Sequence, residues 1–388
     1  MSLIVQKFGG SSVRDAERIQ NVARIIAETY VKGNDVIVVL SAQGDTTDDL
    51  IEKAKEINPS ASKRELDMLL STGEQISVSL CAMALEAMGL PCVSLTAWQA
   101  GIQSTAVHTD ARIKRIDSER IQAELDQHRI VIVTGFQGVD RSGDVTTLGR
   151  GGSDTSAVAL AAAFRADLCQ IYTDVDGVYT TDPRLVPTAR KLEEITYDEM
   201  LELAKKFRVN LEVLSSLERK PGTKVKEVTK VEKTNIAGVA KDTSIARVAL
   251  VGLQHNPGVA FQVFDLLSKH NINVDVILQS IGREDTKDIT FTIHRKDQQE
   301  VEGILNEHKE ALRFDHIEAD DRIGKVSIVG VGLMSNCGVA AKMFEALYEA
   351  GINIQMINTS EIRVSVLLDE KDVNRAVRAI HDKFFDEL

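Results

Sequence analysis

Leu3-Ile4-Val5-Gln6-Lys7-Phe8-Gly9-Gly10-Ser11-Ser12-Val13 opens the chain with a short apolar run, a Gly-Gly break and a polar stretch. Behind it Ala16, Ile19, Val22, Ala23 and Ile26 recur at helical spacing. Strand, glycine turn, helix is an arrangement that cradles phosphate. Glycines let backbone N–H groups close on an anion, and the start of a helix attracts one. Lys7 supplies a compact positive charge. An ordinary turn reads the same way on this stretch alone, and the pattern is neither a P-loop nor a dinucleotide fingerprint.

A second loop repeats the theme. Gly149-Arg150-Gly151-Gly152-Ser153-Asp154 runs directly into the apolar stretch Thr155-Ser156-Ala157-Val158-Ala159-Leu160. Arg150 carries a planar fork suited to a carboxylate or phosphate. A capped helix start, with Ser153 or Asp154 as N-cap, is the equal alternative. Between and beyond these loops, Val36–Leu40, Cys92–Leu95, Ile130–Val133 and Leu168–Tyr172 are continuous apolar runs that suit strands buried on both faces. Helical patterns at Ile76–Ala87 and Ser156–Phe164 separate them. This alternation predicts an α/β fold, a doubly wound and mostly parallel sheet, with ligands beyond the carboxyl ends of its strands. Lys7, Ser41 and Asp174 fall there.

After a polar connection from Glu218 to Thr243 the sequence repeats itself. Arg247-Val248-Ala249-Leu250-Val251-Gly252 returns as Lys325-Val326-Ser327-Ile328-Val329-Gly330. Asn256-Pro257-Gly258-Val259-Ala260 returns as Asn336-Cys337-Gly338-Val339-Ala340, and Asn271-Ile272-Asn273-Val274 as Gly351-Ile352-Asn353-Ile354. Each copy reads strand, turn, helix, strand, hairpin, strand, helix, which predicts a duplicated α+β sandwich. The 388 residues suffice for two or three domains. A net charge of −12, from 46 basic and 58 acidic residues, argues against a general nucleic-acid or membrane-surface binder. Cys81, Cys92, Cys169 and Cys337 lack C-x-x-C pairing, so neither a zinc site nor a disulfide framework is expected. With no signal peptide before the first strand and no apolar run of membrane-spanning length, the expectation is a reduced, cytoplasmic protein.

Five motifs in this order resemble the amino-acid kinase family and, within it, the aspartokinases: Lys7–Val13, Ser41-Ala42-Gln43-Gly44-Asp45-Thr46-Thr47, Ser71-Thr72-Gly73-Glu74, the Arg150 loop, and Thr173-Asp174-Val175-Asp176-Gly177-Val178-Tyr179 with Asp182-Pro183-Arg184 behind it. The repeat resembles two ACT domains, modules that bind amino acids. The resemblance covers nearly the whole chain. It implies a catalytic domain over residues 1–225, a linker and first strand of the second ACT module over 226–244, and ACT modules over 245–320 and 321–388 (ferredoxin-like). Asn235-Ile236-Ala237-Gly238-Val239-Ala240 then belongs to the second module, ahead of an inserted first module.

The activity implied is transfer of the γ-phosphoryl of ATP, as its Mg²⁺ complex, to the side-chain carboxylate of L-aspartate, giving 4-phospho-L-aspartate on the way to lysine, threonine and methionine. Lys7 and Asp154 are the implied catalytic pair, with metal brought by ATP. Ser41, Thr47, Glu74, Arg150, Gly151, Gly152 and Ser153 are implied for aspartate, with Arg150 on a carboxylate and Glu74 on the ammonium. Lys7, Phe8, Gly9, Gly10, Ser11, Thr173, Asp174, Tyr179 and Arg184 are implied for ATP. His255, Asn256, Pro257, Gly258, Val259, Ala260, Asp275, Gln279, Asn336, Cys337, Gly338, Val339, Asn353 and Asn358 are implied for an allosteric amino acid such as lysine or threonine, in a homo-oligomer joined through its ACT modules. On spacing alone, capping is the favoured reading of Ser71–Glu74 and of Thr46-Thr47-Asp48, and a carboxylate in a capping box can do both jobs. The chain departs from the family after Ala204, where a short Gly-x-Lys-Val-Leu block is missing, at Leu214, where an arginine is frequent, and at His255-Asn256, where Asp is common. A kinase of another small carboxylate such as glutamate, and a catalytically silent amino-acid sensor, are the competing readings.

Overall fold

A computed structural model describes residues 2–149, 151–196, 209–226, 236–254, 256–280, 286–330, 333, 338–360 and 362–385. The chain divides into two compact units: Met1–Val178 with Lys191–Lys230, and Tyr179–Arg190 with Val231–Leu388.

The first unit carries strands β1 (Leu3–Phe8), β2 (Asp35–Leu40), β3 (Cys92–Leu95), β4 (Ile102–Ser104), β5 (Ile113–Ile116), β6 (Ile130–Thr134), β7 (Gln137–Val139), β8 (Val145–Thr147), β9 (Leu168–Thr173), β10 (Glu194–Thr196), β11 (Leu211–Ser215) and β12 (Thr223–Lys226). Its helices are α1 (Gly10–Val13), α2 (Ala16–Tyr30), α3 (Thr46–Ile57), α4 (Lys63–Leu70), α5 (Thr72–Ala87), α6 (Glu119–Leu125) and α7 (Gly152–Ala163). Eight strands form one sheet in the order β10-β12-β11-β9-β1-β2-β6-β3, parallel except between β11 and β12. A smaller sheet, β5-β4-β7-β8, has four strands.

The continuous apolar runs are explained by helices on both faces. Val5, Val39, Val133 and Ile171 share a core with α6 and α7, whereas Phe8, Val38, Leu40 and Ile132 share one with α2 and α5. Successive side chains therefore enter opposite cores, and both must be apolar. Lys7 breaks this rule: it follows Val5 onto the α7 face but at the carboxyl end of β1, where the core stops.

One expectation needs correction. Lys63–Ala87 is a helical stretch long and apolar enough, by length and composition, to cross a membrane, although no such run was expected. Half of its apolar window is buried, and Asp67 and Glu74 within it are hydrogen-bonded at 0% and 2% exposure. It packs as a core element of this unit.

The second unit carries β13 (Gly238–Asp242), β14 (Ile245–Gln254), α8 (Val259–Lys269), β15 (Ile277–Gln279), β16 (Thr286–His294), α9 (Gln298–Glu307), α10 (Lys309–Leu312), β17 (His316–Asp320), β18 (Ile323–Val329), α11 (Val339–Glu349), β19 (Met356–Thr359), β20 (Arg363–Asp369) and α12 (Val373–Phe385). They build two antiparallel sheets, β15-β16-β14-β17 and β13-β18-β20-β19. The first strand thus pairs with the second repeat, Gly238 opposite Val329, while the first repeat is threaded between them. Tyr179–Arg190 also packs in this unit, so the expected 1–225 block is interrupted there. Val186 is buried with Val326, Ile328 and Val377, the Thr180 carbonyl accepts from Val239 N–H at 2.7 Å, and Thr180 Oγ1 lies 2.9 Å from buried His381 Nε2. A buried valine and two buried polar contacts outweigh continuity along the chain.

Phe8 is fully buried and stacks on Tyr172 with ring centroids 4.5 Å apart. Phe8→Ala is expected to destabilise the protein by about 3–5 kcal/mol, read as a lowered urea midpoint in equilibrium unfolding.

Candidate active site

The carboxyl ends of β1, β2 and β9 gather most of the residues singled out above for catalysis, aspartate and ATP. Lys7 is 8% exposed, and its Nζ lies 2.8 Å from Asp154 Oδ1 in the first turn of α7. A buried ammonium needs a partner charge, and the helix-start carboxylate supplies it. Ser41 N–H donates to the Phe8 carbonyl at 3.1 Å and Ser41 Oγ donates to Ser153 Oγ at 2.9 Å. The loop after β2 is thereby tied to both β1 and α7. Phe8 offers only its backbone, because its ring is in the core. Gly10 is needed for proximity: a Cβ there would lie 2.7 Å from the Ala42 carbonyl oxygen. Gly9 is beside the cation, with an added Cβ 3.6 Å from Lys7 Nζ. Ser11 is exposed, Thr47 half-buried.

Glu74, in the first turn of α5, is 2% exposed. Its Oε1 accepts from Ala42 N–H at 3.2 Å and its Oε2 from Gln137 Nε2 at 3.0 Å. Burial pushes its carboxyl up from 4.5 to about 7, and these neutral donors only partly oppose that. The capping-box reading of Ser71–Glu74 fails, since Ser71 Oγ donates to the Met68 carbonyl and caps nothing on α5. At α3 the cap is likewise absent: Thr46 Oγ1 donates to the Gln43 carbonyl at 2.6 Å.

Arg150 lies outside the described residues. Around it, Gly151 is the N-cap of α7 in left-handed conformation (φ 71°), so neither Ser153 nor Asp154 caps the helix. A glycine at that φ turns the chain sharply and frees both side chains for the site. Gly152 packs against Phe136, where an added Cβ would meet the ring at 2.7 Å.

On the nucleotide side, Thr173 Oγ1 and Val175 N–H share a hydrogen bond of 3.1 Å that shapes the turn after β9, and Asp174 is exposed. Tyr179 and Arg184 fall on the stretch that packs in the second unit, where the Arg184 guanidinium grips Asp182 with Nε and Nη2 at 3.0 and 3.1 Å.

Among the effector residues, His255, Asn336 and Cys337 lie outside the described residues. Gly258 and Gly338 are the left-handed N-caps of α8 and α11, at φ 93° and 105°, with Val259 and Val339 buried behind them. Asn256, Pro257, Gln279, Asn353 and Asn358 are exposed and Ala260 is half-buried. Asp275 does not stand open: Lys325 Nζ donates to its Oδ2.

The chain matches the amino acid kinase family over residues 2–217 and ACT domains over 247–313 and 326–384. It is 49% identical to an aspartokinase of Bacillus sp. (strain MGA3), covering 99% of this chain and 97% of that one. It is also 49% identical to aspartokinase 2 of Bacillus subtilis, covering 99% and 98%. The crystal structure of E. coli aspartokinase III with aspartate and ADP matches at 25% identity and a TM-score of 0.85, covering 99% of this chain and all of that one. The chain belongs to the aspartokinases. Alignment with the Bacillus sp. aspartokinase runs over 400 positions against 388 residues here, so at least 12 of them have no residue in this chain. The stretch after Ala204, where a block was expected to be missing, lies outside the described residues.

Four contributors to the candidate site escaped the sequence reading. Gln137 holds Glu74. Ser12 Oγ donates to Ser216 Oγ at 2.7 Å, and Ser216 Oγ to the Thr173 carbonyl at 3.0 Å, linking the glycine turn to the end of β9. Fully buried Asp67 accepts from Thr109 N–H and from Thr147 Oγ1 at 2.6 Å and pairs with His108, bracing the approach to the Arg150 loop. The signal available for Ser12 and Ser216 was their place in Gly-Gly-Ser-Ser and Ser-Ser pairs. For Gln137 and Asp67 nothing local distinguishes them.

Glu74 also couples stability to pH. Its carboxyl is raised in the folded state, so its contribution is intact below about pH 4.5 and is lost as pH rises through about 7. Relative to Glu74→Gln, the parent chain is expected to lose about 2–4 kcal/mol of unfolding free energy between those limits. Urea unfolding of both at pH 5 and pH 8 measures the difference.

Proposed function

We propose that the chain phosphorylates the side-chain carboxylate of L-aspartate with MgATP, yielding 4-phospho-L-aspartate for lysine, threonine and methionine formation in the cytoplasm. The observation that carries this reading is the Lys7–Asp154 pair at 2.8 Å at the end of β1, with buried Glu74 hydrogen-bonded to the loop after the neighbouring strand β2. Aspartate carries one ammonium and two carboxylates. Glu74 would take the ammonium, Arg150 a carboxylate, and Ser41, Thr47, Ser153 and the backbone of Gly151 and Gly152 would fix the rest. An N-acylated acceptor would leave the Glu74 charge unpaired, which disfavours it.

The acceptor carboxylate is already ionised, so no general base is required. The barrier is the approach of two anions in line. Lys7 would neutralise charge building on the transferring phosphoryl, held in place by Asp154. The N–H groups of Gly9, Gly10 and Ser11 would cradle phosphate oxygens, and Thr173 and Asp174 would contact nucleotide. Among the described residues no cluster of three His, Cys, Asp or Glu side chains exists. That donor set suits Mg²⁺ arriving on the phosphates, with at most Asp154 from the protein. When bound, Mg²⁺ offsets phosphate charge.

Residues 245–320 would form one ACT module and 321–388, with the strand from 226–244, the other, reading lysine or threonine at the glycine turns of Gly258 and Gly338. Edge strands β15 and β19 leave Ile277, Leu278 and Ile357 exposed, which supports pairing of modules between copies into a homo-oligomer.

Hydroxylamine trapping of acyl phosphate, with aspartate, glutamate and N-acetylglutamate side by side, tests the reaction; signal is expected with aspartate alone. Lys7→Ala is expected to lower turnover by at least about a hundredfold while calorimetric binding of lysine or threonine stays unchanged. Retained turnover in that variant would remove Lys7 from the mechanism.

A further inference from the structure

Glu74 is a buried carboxylate with no ionic partner among the described residues, and its surroundings show what keeps it usable. Its side chain is hydrogen-bonded from two elements, by Ala42 in the loop after β2 and by Gln137 in β7, which is itself tied to the Ser71 carbonyl at the junction of α4 and α5. None is charged, and no described charged side chain shifts its titration.

Gln137 is itself 2% exposed, and its Nε2 spends both hydrogens on acceptors: Glu74 Oε2 at 3.0 Å and the Ser71 carbonyl at 2.7 Å. The carbonyl at Ser71 can only accept, so the amide orientation is fixed with nitrogen inward. Glu74 Oε2 then faces an N–H, and Oε1 faces the Ala42 N–H. Both donors favour the ionised form of Glu74, while burial favours the acid, so Gln137 and the Ala42 N–H offset part of the cost of keeping the charge.

We propose that Gln137 is a positioning residue for substrate selection, donating to Glu74 and so favouring its ionised form, which lets the site take an acceptor molecule bearing a free ammonium. It acts through Glu74 and does not touch substrate. This inference rests on the assignment of Glu74 to the substrate ammonium.

The test uses the full-length chain and the hydroxylamine assay, with KM for aspartate, KM for ATP and kcat measured from about pH 6 to about 8.5. Protonated Glu74 cannot pair with an ammonium, so aspartate KM climbs as pH falls through the Glu74 midpoint. A hydrogen bond to a charged group shifts a pKa by about one unit. In Gln137→Met the midpoint is expected to move up by about one unit, giving aspartate KM about fivefold higher near pH 7. The gap should close toward pH 8.5, with ATP KM and saturated kcat within about twofold of the parent. The isosteric Gln137→Glu places a second carboxylate against Glu74, so one proton is shared and aspartate KM stays high across the range.

A uniform rise in aspartate KM with an unmoved midpoint in Gln137→Met would reduce Gln137 to packing and overturn the proposal. So would a parent-like profile in Gln137→Glu, which keeps the shape of the side chain if the methionine variant does not fold. Glu74→Gln separates the underlying assignment: parent-like aspartate KM in that variant removes Glu74 from ammonium binding, whatever Gln137 does.

Discussion

A lysine ammonium at the end of the central strand is the constraint around which the first unit is arranged. Lys7 sits in β1, flanked by β2 and β9 and almost fully enclosed. An enclosed cation without a partner would neutralise or open the fold. Asp154 meets it from the first turn of α7, and that geometry sets how α7 crosses the sheet. Gly151, left-handed at φ 71°, starts that helix. The Ser41–Ser153 contact repeats the connection one strand over. Positioning chemistry and packing are the same set of bonds here.

The central sheet was legible because parallel strands covered on both faces cannot alternate. Val36–Leu40 and Ile130–Val133 became β2 and β6 with little else needed. The small sheet was not legible. Its strands are three or four residues long, too short for an alternation such as buried Ile102, exposed Gln103, buried Ser104 to stand out in the sequence. The cap assignments at Ser153 and Ser71 were plausible locally and wrong: distant Ser41 bonds the Ser153 hydroxyl, and the Met68 carbonyl of the preceding helix takes that of Ser71.

The site was legible where motifs name it and opaque where support comes from afar. Lys7, Ser41, Ser153 and Asp154 converge, and they stand within glycine-rich stretches that draw the eye. Gln137 is 63 residues from Glu74, and Ser216 is 204 residues from Ser12. No window of sequence contains both partners. The stretch Tyr179–Arg190 teaches the same lesson in reverse, since Val186 looks like a loop residue until Val326 and Val377 surround it.

The threaded second module has a consequence for how the protein is made. β13 leaves the ribosome before the whole of the first ACT repeat, yet its hydrogen-bond partner β18 follows that repeat. Until then β13 is an unpaired edge, and closing so long a loop is repaid only if its interior is already compact. The first repeat has all four strands of its own sheet within one continuous segment, β14 to β17. It can collapse first and shorten the search. Birth order and sheet order disagree in this unit, and the inserted repeat acts as the spacer that lets the late partner find the early strand.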